Sequence, residues 1–282
     1  MKKNIAILLV ALSNTLFGLD MEVTGAYDYF RSLPEGSWNG NNGAYVSLNT
    51  GAPVLDFLDF QLGGSFGIYN WDGQDNIVFE NTSNPMYQGF ITTGFTYKEN
   101  QYTLGLVYDW MFTSNYTVFN VAPAVDQLRG KFGYQMCNSE IGVWGTYRLD
   151  TSTKNAQGLP VKFRAISQAS VFITHRFSKC AQGTVWLGVP TDDGLMESGK
   201  KPGEILAGFE VRAPLGPCLF LDAHGSYLRA REYVGCERTR NYQANITVGI
   251  TYLFGDRCQG MYSTYQPVAN NSNFLLDTNI NL

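Results

Sequence analysis

Charge is scarce in this chain. Of 282 residues, 16% are Asp, Glu, Lys or Arg, against about 25% in an ordinary soluble domain. With no basic excess (formal charge −4), a nucleic-acid partner has no electrostatic footprint to hold. The aromatic content of 14% excludes a disordered solvating chain. Long apolar runs are missing too: beyond residue 20 no stretch of 18 apolar residues occurs, which excludes a helical membrane protein. Histidine is nearly absent, with two in the whole chain, and no cluster of metal-ligating types stands out, so neither a metal nor a cofactor is expected. What is abundant is Tyr (17), Phe (18) and Gly (30). A chain poor in charge and rich in these residues, yet slightly hydrophilic on average, suits a sheet with one face in lipid and the other in water.

The first residues set the compartment. Lys2 and Lys3 precede an apolar run from Ile5 to Phe17, the pattern of a secretory signal peptide cut near Gly18. The expected organisation is therefore 1–18 signal peptide, 19–256 transmembrane β-barrel and 257–282 polar C-terminal tail.

Residues 242–254, YQANITVGITYLF, alternate strictly. Tyr242, Ala244, Ile246, Val248, Ile250, Tyr252 and Phe254 fall on one face and Gln243, Asn245, Thr247, Gly249 and Thr251 on the other. Aromatics close both ends of the apolar face, as at the two interfaces of a bilayer. Residues 101–112, QYTLGLVYDWMF, repeat the pattern, and the same period recurs often enough to predict twelve strands, the first two weakly patterned. Five connections are short, near 51–57, 98–100, 136–138, 178–180 and 214–216. Six are long, near 31–42, 71–85, 113–123, 150–162, 190–202 and 230–239. This is the count required by a closed twelve-stranded barrel with both termini on the short-turn side.

The signal peptide, alternation and loop asymmetry resemble the outer-membrane β-barrel proteins of Gram-negative bacteria, porin-like in form. The resemblance implies an all-β, antiparallel up-and-down barrel in the cell outer membrane, with short periplasmic turns, long outer loops and lipid on the outside. It also implies a diffusion channel for small hydrophilic solutes. The alternative is a non-conducting structural or surface-interaction barrel. One departure from the class is that 28 residues follow Phe254, the aromatic end of the last strand. That tail has three open destinations: the periplasm, the lumen, or a terminal strand of its own.

The parity opposite to the apolar one is expected to line the lumen. It carries Asp28, Asp59 and Asp109 from strands one, three and five; Arg129 and Lys131 from six; Arg148 from seven; Arg164 and Arg176 from eight; Glu210 and Arg212 from ten; and Asp222 and His224 from eleven. Such groups either face each other across open water, setting up a field that selects polar solutes, or pair with one another and close the barrel. Catalysis is not expected. His224 lies near mid-barrel, far from any lipid ester, and His175 points outward beside Ser178 without the THES motif of phospholipase barrels.

Five cysteines are an odd number for an exported chain. Cys137, Cys180, Cys218 and Cys258 would ring the short-turn rim, leaving Cys236 in a long loop. Adjacent turns stand two strands apart, roughly 10 Å, beyond the roughly 7 Å Cα limit for a disulfide unless a turn bends. These four are candidates for disulfides or for cross-links to other envelope proteins, an arrangement that resembles the disulfide-linked outer membrane of the chlamydial lineage.

Overall fold

The computed structural model describes residues 20–32, 40–73, 83–177, 181–196, 198–229, 242–254 and 265–280. The expected signal peptide lies outside them, as do Cys180, Cys236 and Cys258. Fifteen strands follow in chain order: β1 (Asp20–Arg31), β2 (Asn41–Leu55), β3 (Leu58–Tyr69), β4 (Met86–Glu99), β5 (Tyr102–Ser114), β6 (Ala124–Met136), β7 (Ser139–Arg148), β8 (Thr151–Ala156), β9 (Leu159–Ala165), β10 (Gln168–Arg176), β11 (Gln182–Pro190), β12 (Ile205–Pro214), β13 (Leu219–Arg229), β14 (Tyr242–Phe254) and β15 (Leu276–Thr278).

Twelve of these close an antiparallel barrel, β1 to β7 and then β10 to β14, with β14 returning to pair with β1 from Met21↔Phe254 to Arg31↔Ala244. Closure leaves no wall edge unpaired, the condition for placing a sheet where water cannot satisfy its backbone. The short connections are as tight as their composition suggests. Asn100 and Cys137 both take positive φ, 55° and 50°, in hairpin turns whose twist requires left-handed backbone.

Burial is inverted relative to a water-soluble protein. On the outward parity, Val46 is 61% and Leu106 is 59% exposed, while inward Gln127 and Thr251 are 0% exposed. The outward aromatics gather in two belts. Phe60 with Phe95, Tyr102 with Tyr134, and Tyr252 with Phe254 lie toward the short turns. Phe66 with Tyr87, Trp110 with Phe112, and Tyr227 with Tyr242 lie toward the long loops. Amphipathic rings take such positions at a bilayer's two interfaces.

Two features depart from the expected wall. The connection after β7 is not an irregular loop: β8 and β9 form a hairpin through Gln157 and Gly158, both at positive φ, capped by the Gly158 amide donating to Asn155 Oδ1 at 2.7 Å. Arg164, expected on wall strand eight, belongs to β9, and the wall resumes only at Gln168. Residues 166 and 167 break the pairing, so alternation that looks continuous from 161 to 177 spans two different sheets.

The tail, for its part, enters the lumen. Tyr265 meets Asp20 at the short-turn end (3.2 Å), and Leu276–Thr278 pair with β9 at the long-loop end. The chain thus crosses the barrel from one mouth to the other and adds β15 as the third strand of the β8–β9 sheet.

Candidate functional site

The wall is shaped for the tail. A Cβ on Gly51 would land inside the Tyr265 ring, and one on Gly63 would stand 2.6 Å from Val268 Cγ2. Backbone approach this close needs the missing side chain. Neutral amides and hydroxyls supply most of the hydrogen bonds. Gln61 accepts from the Gln266 amide (3.0 Å) and donates to its carbonyl (2.5 Å). Thr92 Oγ1 accepts from Ala269 N (2.8 Å), Gln127 donates to the Asn273 carbonyl (3.2 Å), and Gln243 donates to the Leu276 carbonyl (2.9 Å). These partners were absent from the sequence-level candidates, which considered charges alone; inward Gln and Thr at period two were the available signal.

Toward the long loops the tail becomes apolar and closes the mouth. Phe274 and Leu276 join Phe90, Met111, Tyr116, Phe163 and other buried side chains in one cluster. It draws on inward wall positions, on the 115–123 connection, on the β8–β9 hairpin and on the tail. Above it Arg164 pairs with Asp277 (3.4 Å), and Leu195 N donates to the same carboxylate (2.6 Å). Burial pushes the Asp277 carboxyl above its ordinary range and outweighs these favourable contacts.

The expected lumen charges are mostly engaged locally. Fully buried Asp109 accepts from Thr92 (2.7 Å), from Gln127 (3.1 Å) and, twice, from Arg129 (2.9 and 3.1 Å); Arg129 also reaches the Pro267 carbonyl (2.7 Å). Asp28 accepts from Tyr69 (3.0 Å), Asn245 (2.6 Å), Thr247 (2.6 Å) and Asn271 of the tail (2.8 Å). Lys131 meets Glu140 at 3.0 Å. Arg212 makes a bidentate pair with Asp222, both bonds 2.8 Å, and reaches Glu22 at 3.1 Å. Arg148 pairs with Asp192 at the loop rim (3.3 Å), and Arg176 donates to Gln135 (2.8 Å). Asp59 shares the parity of Gln61 near the short-turn rim and has a partner of its own. Glu210 lies directly across from His224 in the β12–β13 register. Acidic and basic groups therefore meet directly, mostly between neighbouring strands and, for Arg212 and Glu22, across two intervening strands, rather than standing off across open water.

His224 helps hold the tail, with Nδ1 2.7 Å from Ser272 Oγ and Nε2 3.3 Å from the Tyr45 hydroxyl. Outward His175 sits 2.9 Å from Ser139 Oγ, its ring edge-on to Phe177. Among the described residues no group of three or more His, Cys, Asp or Glu is placed to hold a metal ion. Cys137 is exposed and free at the β6–β7 turn. Cys218, beside the start of β13, has a partner that lies outside the described residues.

A space survives beside the tail. A cavity of about 410 Å³ runs from Lys98, Gln135 and Gln182 near the short-turn rim up to Asn270 and Asn273 of the tail.

A closed antiparallel barrel of twelve strands, apolar outside and polar within, has the architecture of outer-membrane β-barrels. Its fold is similar to the translocator domain of the autotransporter NalP from Neisseria meningitidis, at 14% identity over 89% of this chain and 95% of that one, with a TM-score of 0.50. A membrane protein solved in work on in-meso crystallisation gives 12% identity, 91% and 99% coverage and a TM-score of 0.50. The toluene transporter TodX of P. putida follows at 12% identity, 84% and 90% coverage and 0.47. Identities this low establish the fold alone. The model of a family of unknown function, DUF6666, matches residues 16–276, and the chain belongs to that family. A search of curated proteins finds no match.

Proposed function

We propose that this protein is an outer-membrane channel for small hydrophilic solutes that rests closed, with its own C-terminal tail as the plug. The observation that carries this reading is the tail's path: it threads a polar lumen from mouth to mouth and completes an apolar seal only at the long-loop end. A cavity with a mixed polar and aromatic lining on the short-turn side of the seal leaves room for a solute beside the tail. The plug is held without a covalent bond among the described residues, by side-chain amides whose hydrogen bonds exchange readily with water. Both histidines are engaged in structural contacts, and no catalytic step is assigned.

Planar-bilayer conductance tests the reading. Full-length, heat-modifiable protein is expected to be mostly silent with rare openings, and protein ending at Phe254 to conduct steadily. Charge reversal at Lys131 should then shift the ion selectivity of the truncated pore. A folded truncation that stays silent would refute the proposal.

The extent of the apolar seal favours a second reading, a permanently closed barrel that serves as a structural or surface-interaction element. In that case Cys137, exposed and free at a short turn, anchors it to envelope neighbours, as the chlamydial resemblance implies. Isolated outer membranes run on gels with and without reductant separate the two: a monomer in both lanes removes the anchoring.

A further inference from the structure

The first, polar part of the tail is received by Gly51, Gly63, Gln61, Thr92 and Arg129 of β2 to β6, and farther on Ser272 and Leu276 meet His224 of β13 and Gln243 of β14. The cavity runs beside the tail and is lined from most of the wall strands, and two stretches of its lining differ in chemistry. On β7, β10 and β11 the inward positions Trp144, Phe172 and Trp186 form one aromatic surface. The indoles meet edge to face at 5.9 Å, Phe172 is the cross-strand partner of Trp186, and Lys131 Nζ lies 4.7 Å over the Phe172 ring. Phe172 and Trp186 are buried yet belong to neither apolar cluster, so they are no part of the seal. On β12 and β13 the lining is instead Glu210, Arg212, Asp222 and His224, with Tyr45 beside them.

Most of the charge around this space is already balanced, with Arg212 between Glu22 and Asp222, Lys131 on Glu140 and Arg129 on Asp109. An ionic solute finds little net field to complement it. An apolar solute would strip water from the charged arc without replacing its hydrogen bonds. A neutral ring that offers C–H faces to the aromatics and hydroxyls to the polar groups satisfies both stretches. The volume falls within the roughly 300–1,000 Å³ of small-molecule sites. We propose that this cavity is a binding site for a neutral saccharide of one or two rings. The proposal rests on the channel reading only for passage of the sugar, because binding itself requires no open pore.

The test uses full-length protein in detergent, its fold checked by heat-modifiable mobility. Glucose and maltose are titrated against tryptophan fluorescence, radiolabelled maltose is followed by equilibrium dialysis, and benzyl alcohol serves as an aromatic probe. Saturable maltose binding is expected, weakened about tenfold in Trp186→Leu, the equivalent of one aromatic contact. Trp144→Leu should act in the same direction, and exposed Trp71→Leu should leave binding unchanged. Folded wild-type protein that binds neither sugar at any soluble concentration overturns the proposal. So does sugar binding indifferent to both cavity substitutions, or binding of benzyl alcohol alone. A protein that binds maltose but never conducts keeps this site and removes the channel reading; one that conducts but binds no sugar does the reverse.

Discussion

Phe274→Ala bears directly on the plug. The ring is 2% exposed, stands 5.6 Å centroid to centroid from Phe90, and shares its cluster with Phe163 and Leu276. Removing a buried phenylalanine ring costs about 3–5 kcal/mol, more where the surroundings cannot collapse onto the hole. Here they cannot easily do so, because Phe90 sits on a wall strand hydrogen-bonded on both sides. For the same reason the barrel keeps its pairing, and the loss falls on the docked tail. At about 1.4 kcal/mol per factor of ten, the undocked population should rise by roughly two to three and a half orders of magnitude. Carboxypeptidase trimming read by mass spectrometry measures that population, since trimming can pass through Thr278 to Leu276 only when the tail has left β9. Wild-type protein should be trimmed slowly and the variant rapidly into 265–280, with frequent openings in bilayers. Leu159→Ala, at a half-exposed position on the hairpin, should behave as wild type. A Phe274→Ala protein as resistant and as silent as wild type would refute the idea that this ring holds the plug.

Arg129→Met leaves Asp109 buried without its cation, a loss of about 3–5 kcal/mol; pairing it with Asp109→Leu should recover much of the urea midpoint, and a double variant weaker than the single would contradict the argument. Because burial pushes the Asp277 carboxyl up, the docked tail holds that proton to higher pH than the free tail does. Its contribution to docking is therefore full below the ordinary carboxylate range and fades as pH rises through the raised value. The ratio of wild-type to Asp277→Asn hydrogen exchange at 275–278 should report that fade, and a ratio flat with pH would contradict it. Cys137 is exposed and free at a short turn, so the difference in impermeant-maleimide labelling between wild type and Cys137→Ser should appear only once the periplasm is opened. Labelling in intact cells would reverse the barrel's orientation.

The wall was legible because its requirement is local: every second residue must suit lipid, so the pattern repeats with period two whatever the partner strands are. Turn lengths added the topology, since an even number of strands returns both ends of the wall to one rim and the alternation of short and long connections identifies it as the short-turn rim. The plug follows a different logic. Pro267 to Asn273 left the tail's destination open because Asn and Ser satisfy their hydrogen bonds equally well with water and with the amides of a lumen wall. Similarly, the alternation of Val161, Phe163 and Ala165 continues that of β10, and only the break at 166 and 167 assigns Arg164 to the plug sheet. Inward apolar residues at the loop ends of β4 to β6, such as Phe90, Met111 and Val125, were the sign that something dry had to meet them. A lumen open to water would have no use for apolar side chains on both parities.

The way the tail is tethered decides how such a plug can open. It follows the last wall strand from Phe254, on the short-turn side, while its seal lies at the opposite mouth. Withdrawal toward the tether therefore cannot begin with the polar segment next to it. The outer end must first detach from β9 and from Phe90, because that end has to pass down the whole lumen. Each amide contact along the way contributes about 0.5–1.5 kcal/mol net and is replaceable by water, so those contacts guide the path more than they block it. The barrier is concentrated in Phe274 to Leu276, three buried apolar side chains worth roughly 1.5–3 kcal/mol each. A signal that opens the pore would consequently act on the outer loops and hairpin, where the seal is assembled, even though the segment that moves is anchored at the other end.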